Sequence, residues 1–158
     1  MKGFPWGTGL LLLFATVVAA AVGGLVSGGE ADPWYAALNK PALTPPGLAF
    51  RLVWPALFLL MIAGGLTVLW RAGDNHAASS PLGIYYTMLT VNVAWSLAFF
   101  GFHEVALALG VLIALWLLIV AMMQAFWRYS QLAALLQVPY LAWVSFAFYL
   151  NASIWIMN

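Results

Sequence analysis

Tyr140, Trp143, Ala147 and Asn151 follow one another by three or four residues. On a helix that spacing puts two rings, one small side chain and one amide on a single face. Asn92, Trp95 and Phe99 repeat the arrangement, and Trp54 and Phe58 lie four apart. The chemistry open to such faces is non-covalent. Rings stack on a flat apolar ligand, Ala147 leaves room for it, and the amides orient it. The competing reading is packing, with the rings filling a core and Asn92 and Asn151 bonding between helices.

Conventional catalysis is not written here. The four carboxylates, Glu30, Asp32, Asp74 and Glu104, fall in predicted loops or at helix ends, and no two share a helical spacing. There is no cysteine, which excludes disulfides and thiolate chemistry. His76 and His103 belong to different loops on opposite ends of the predicted bundle, so they cannot share a metal. No glycine-rich phosphate loop or nucleophile elbow is present. No obligatory cofactor or metal follows from these residues. A net charge of +1 gives no basic patch for phosphates, which argues against a nucleic-acid partner.

The elements that must position these faces are set by hydropathy. The chain is 66% hydrophobic and 6% charged, against about 25% charged in an ordinary soluble domain. Lipid must therefore be its solvent. Apolar runs at roughly 7–27, 48–70, 81–102, 104–127 and 132–156 are each long enough to cross the ~30 Å hydrocarbon layer as a helix. The fold class is all-α: one domain of five transmembrane helices over residues 1–158. Lys2 followed by an apolar run ending at Ala19–Ala21 also suits a cleaved signal, but the run continues to Val26, which favours a retained helix. Lys2, Arg71 and Arg128 fall on one side and Lys40 and Arg51 on the other, a small bias toward a cytoplasmic N-terminus.

The long connection, at about 28–47, holds four of the eight prolines. Gly28–Gly29 breaks the first helix, and Asp32–Pro33 starts a short one, with Asp as cap and Pro at the first position. Pro41 stops it, and Thr44 is a cap for the second span. Trp34 and Tyr35 suit a membrane interface. This segment is either an anchor there or a lid over a cavity. Ser79–Ser80–Pro81 caps the third span, Gly101–Glu104 is a tight turn, and Tyr129–Ser130 makes the last one. Pro55 and Pro139 lie inside spans two and five and should bend them. Small-residue seams at Ala15/Ala19/Gly23, Ala94/Ala98 and Ala106/Gly110/Ala114 could serve helix association.

Four motifs then combine: WYAALNKPALTPP (34–46), RLVWPALFLLM (51–61), NVAWSLAFFG (92–101) and VPYLAWVSFAFYLN (138–151). In order, spacing and five-span layout the chain resembles the TspO/translocator protein family, the tryptophan-rich sensory proteins or peripheral-type benzodiazepine receptors. The resemblance implies a bacterial member in the cell envelope, a five-helix bundle forming a homodimer, and a cavity covered by the first loop. It implies porphyrin ligands such as protoporphyrin IX or haem, with roles in porphyrin sensing, transport or regulation. Light- and oxygen-dependent porphyrin breakdown and passive transport of porphyrin or lipid-like molecules are the alternatives. Trp34, Tyr35, Lys40, Pro41, Pro45 and Pro46 match the family's first loop. Trp54 and Trp143 match tryptophans implicated in porphyrin binding and breakdown, and Asn92, Trp95, Ala147, Leu150 and Asn151 match cavity-lining positions. With Phe58, Phe99 and Tyr140 these make the candidate ligand-binding set. Leu43 and Phe58 replace a ring and a hydroxyl common in the family, and Ala152 and Ile156 interrupt its C-terminal sterol motif.

Overall fold

Apolar runs in lipid must satisfy their own backbone groups, and helices do so within one segment. A computed structural model describes residues 4–28 and 31–158 of the chain. Lys2, Gly29 and Glu30, to which the sequence assigns a flanking charge, a helix break and a loop charge, lie outside the described residues. Among the described residues seven α-helices follow in order: α1 (Trp6–Val26), α2 (Pro33–Ala37), α3 (Gly47–Ala72), α4 (Asn75–Ser96), α5 (Val105–Trp127), α6 (Gln131–Leu135) and α7 (Val138–Met157). A π-helical turn, Leu97–Gly101, extends α4. Five spans among the described residues are long and apolar enough to cross a membrane, as expected.

Three boundaries depart from the expectation. The third span begins at Asn75, not near residue 81, because Asp74 caps it by accepting from the Ala77 N–H at 2.8 Å. Pro81 therefore lies inside α4, where it has no N–H for the Ala77 carbonyl. The Tyr129 hydroxyl, from the α5–α6 connection, donates to that carbonyl at 2.7 Å and takes the missing role. Thr44 does not cap the second span: its hydroxyl donates to the Pro41 carbonyl, and Pro46 stands at the cap position of α3. The fifth span is not one bent helix. Ser130 caps the short α6, the chain turns at Leu136–Gln137, and Pro139 sits in the first turn of α7 rather than mid-helix. Pro55 is inside α3 as expected.

α4 is central, packing along α5, α1 and α3, while α5 also packs along α7. The main core, with Leu12, Met61, Val68, Met88, Leu115, Ile119 and Met122 fully buried, lies between these helices. Thr16 is buried in α1, donating to the Leu12 carbonyl and bonded to the Tyr85 hydroxyl at 2.6 Å, which ties α1 to α4. Of the small-residue seams, Ala19 and Ala98 are buried inside the bundle, whereas Ala106, Gly110 and Ala114 of α5 face outward.

The relation of α3 to the fifth span positions the site. At one level the two are locked. A Cβ on Gly64 would stand 2.2 Å from the Gln137 amide nitrogen and 3.0 Å from the Ala133 carbonyl, so a side chain here would displace the Gln137 amide and crowd the Ala133 backbone. Gln137 is fully buried there, and its Nε2 donates to Leu60 O and Ala133 O. Toward the other end α3 scarcely approaches α7 at backbone level, and rings span the gap between them. The pair forms a V, with its vertex at Gly64–Gln137 and its mouth toward α2.

Candidate functional site: a ring cluster under a capped loop

The mouth of the V is filled by rings from three helices. Trp54 of α3 is the hub. Its ring lies 5.7 Å from Phe58, 6.4 Å from Tyr140, 6.5 Å from Trp143 and 6.5 Å from Trp95, centroid to centroid. Trp95 then stacks on Phe99 at 5.9 Å. All four indoles of the predicted set are half-buried; Trp54 meets both Trp95 and Trp143, and Trp34 meets Phe99 and His103. A ring in such an array is positioned by edge-to-face and offset contacts worth about 0.5–1.5 kcal/mol each.

The π-helical turn explains why α4 delivers two phenylalanines to one place. The wider turn, closed by the Phe102 N–H on the Leu97 carbonyl at 2.8 Å, presents both Phe99 and Phe100 toward α2. Such turns occur often at functional sites. His103 then reverses the chain with φ at 59°, a left-handed conformation that histidine tolerates better than most residues.

The first loop covers this end. Asp32 caps α2 by accepting from the N–H groups of Trp34 and Tyr35, with Pro33 at the first helical position, as the sequence predicts. The helix ends at Ala37, ahead of Pro41, and Lys40 closes it. The Lys40 ammonium donates to the carbonyls of Tyr35, Leu38 and Ala36 at 2.7, 3.1 and 3.3 Å. All three ammonium protons are thereby placed on a helix end, where the dipole favours a cation. Beneath the helix, Trp34 meets Phe99 at 5.5 Å and stacks on His103 at 4.2 Å. Tyr35 meets Phe99 and Phe100. The far end is tied by Asn158, whose side chain accepts from the Asn39 N–H and donates to the Asn39 carbonyl, both at 3.0 Å.

The amides serve the helices. Asn92 Nδ2 donates to the Tyr140 hydroxyl at 2.8 Å, joining α4 to α7. Asn151 Oδ1 accepts from the Trp95 indole at 3.3 Å, and its Nδ2 donates to the Val105 carbonyl at 2.9 Å. Both asparagines are buried, as is Leu150, while Ala147 is half-buried on the same helix. Of the twelve candidates, ten thus join one bonded or ring-contact network, and Ala147 and Leu150 supply wall. Residues missed from sequence complete it. Phe50 stands against Trp143 at 5.4 Å, Phe146 against Trp143 at 5.9 Å, and His103 against Trp34. Phe50 and Phe146 were within reach of the same spacing rule, four before Trp54 and three after Trp143; Phe100 was not, because a π turn breaks that rule. No cluster of three His, Cys, Asp or Glu that could hold a metal occurs among the described residues.

The TspO/MBR family model matches residues 11–156. The chain belongs to the TspO/MBR family. Protein CrtK of Rhodobacter capsulatus is 36% identical over 144 residues, covering 91% of this chain and 88% of that protein. The tryptophan-rich sensory protein of Cereibacter sphaeroides is 36% identical over 146 residues, covering 92% and 88%. The human translocator protein is 35% identical over 153 residues, covering 96% and 90%. With its five spans and bacterial relatives, this TspO/MBR member is a multi-pass integral protein of a bacterial membrane.

Proposed function

We propose that this TspO/MBR protein binds a flat tetrapyrrole of the protoporphyrin IX or haem type, among the rings between α3, α4 and α7, and acts in its sensing or transport. The observation that carries the reading is the run of rings beneath the lid, Trp143, Trp54, Trp95, Phe99 and Trp34, contributed by four helices. A conjugated macrocycle exchanges ring–ring contacts for ring–ligand contacts of the same kind, so entry costs little. The names of the relatives, a sensory protein and a translocator, support the sensing or transport role. Polar ligand groups would face the mouth. Arg51, exposed one turn before Trp54, is the available cation there, since Lys40 is engaged in its helix cap.

The same run favours a second reading, light- and oxygen-dependent breakdown of the bound ligand. The excited ligand passes an electron to oxygen and the reduced oxygen recombines with the ligand radical, so the oxygen ends in the product; indoles in contact can relay the radical, and no acid–base pair is needed. One titration addresses both readings. Protoporphyrin IX should quench the protein's tryptophan fluorescence saturably, and a Trp54→Ala/Trp143→Ala variant should lose most of the affinity, at least tenfold. Undiminished quenching in that variant would refute the site. A defined product from illuminated wild-type complex, absent in Trp143→Phe, would favour breakdown over sensing.

A further inference from the structure

Away from the lid, a second place has the chemistry of a ligand site, and it does not rest on the tetrapyrrole reading. An open groove of about 490 Å³ runs down the lipid-facing side of α5 toward the fifth span, lined by Val120, Met123, Trp127, Ala134 and Leu141. Gln124 and Arg128 are its polar lining. The volume falls in the range of small-molecule sites. The groove lies where the fifth span changes path: the turn at Leu136–Gln137 falls between Ala134 and Leu141, so a continuous helix does not fill it.

Depth and charge specify the occupant. From Val120 to Arg128 the groove follows α5 for about 12 Å, most of the ~15 Å thickness of one leaflet. Its apolar part is therefore at acyl-chain depth. Trp127 and Arg128 stand where α5 leaves the hydrocarbon, at the end opposite the lid. Arg128 makes no ion pair among the described residues, and no carboxylate lines the groove. Gln124 is exposed one helical turn before it, on the same face of α5. An apolar trough ending in an unpaired guanidinium fits one class of molecule in a bilayer. We propose that this groove is a binding site for an anionic phospholipid, with an acyl chain against Val120, Met123 and Leu141 and the phosphate on Arg128. The guanidinium fork suits phosphate oxygens better than a zwitterionic headgroup, whose own cation competes.

Native mass spectrometry of the full chain, released from detergent with equimolar phosphatidylglycerol and phosphatidylcholine of identical chains, tests this. The wild type should retain one phosphatidylglycerol in preference, and Arg128→Gln should reduce that preference about fivefold. Val120→Trp, which fills the trough, should lower retention of both lipids. Equal retention of the two lipids by the wild type would overturn the proposal, as would an unchanged preference in Arg128→Gln. Should Val120→Trp not fold, a phosphatidylglycerol with a photoreactive acyl chain takes its place. Crosslinks confined to 120–128 and 134–141 support the site. Uniform labelling of all spans overturns it, and so does a dimer that buries this face and excludes lipid.

Discussion

At the scale of single residues, the cover over the ring cluster is a five-residue helix, too short to persist without its caps. Asp32 supplies the front cap and Lys40 the rear one. Asp32→Ala removes an acceptor for two N–H groups and should cost about 1 kcal/mol. Lys40→Met removes three donors and the cation facing Tyr35 at 4.8 Å. Either variant should raise amide hydrogen exchange at Trp34 and Tyr35 while leaving the melting temperature of the bundle within a degree or two, because the lid packs on the small cluster around Phe99 and not on the main core. A fall in whole-protein stability equal to the local effect would mean that the lid is part of the core. The front cap was legible in the chain, since an Asp–Pro pair is local chemistry. The rear cap was not, because a lysine five residues on could equally have faced water. The same limit applied to the asparagines. Their presence in apolar runs announced partners, but only the assembled helices decide that Tyr140, Trp95 and the Val105 carbonyl are those partners.

At the scale of elements, α4 and the fifth span each carry an interruption at which a side chain replaces a backbone donor. In α4, Pro81 leaves the Ala77 carbonyl open and Tyr129 fills it. Between α6 and α7, the Gln137 N–H turns to the Ala134 carbonyl, and the Gln137 side chain bonds the Ala133 carbonyl instead. The first case makes a double-mutant test. Tyr129→Phe should destabilise by about 1 kcal/mol, the net worth of one hydrogen bond. Pro81→Ala restores the backbone donor, so Tyr129→Phe in that background should cost only a few tenths of a kcal/mol. Thermal or denaturant unfolding in one detergent reads both. Equal costs in the two backgrounds would show that Tyr129 does not act through this carbonyl. The five apolar runs gave away the spans, because hydropathy alone decides what dissolves in lipid. Their ends were misplaced where polar residues extend a helix beyond the hydrocarbon, as at Asn75–Ser80, or where an apolar run hides a break, as at Leu136–Gln137. Periodicity cannot register a break when a distant side chain repairs it.

At the scale of the whole molecule, the V between α3 and α7 joins these observations into a mechanical expectation. Its vertex is tight, since Gly64 packs on the Ala133 carbonyl and on the buried Gln137 side chain, which bonds both helices. Its mouth is bridged by rings, and rings can separate and re-stack at little cost when another flat surface comes between them. A ligand that enters must therefore part α3 and α7 at the lid end while the vertex stays fixed. The absence of native cysteine allows spin labels at chosen pairs. Leu52 and Phe148 are exposed in the lid halves of α3 and α7, and Ala63 and Leu135 are exposed near the vertex. With protoporphyrin IX bound, the Leu52→Cys/Phe148→Cys distance should grow by about 3.5 Å, the thickness of one conjugated ring, whereas the Ala63→Cys/Leu135→Cys distance should not change. Growth of both distances together would mean that the bundle moves as separate helices and that the glycine contact is no pivot. No growth at the mouth, with binding shown by fluorescence, would place the ligand outside the rings.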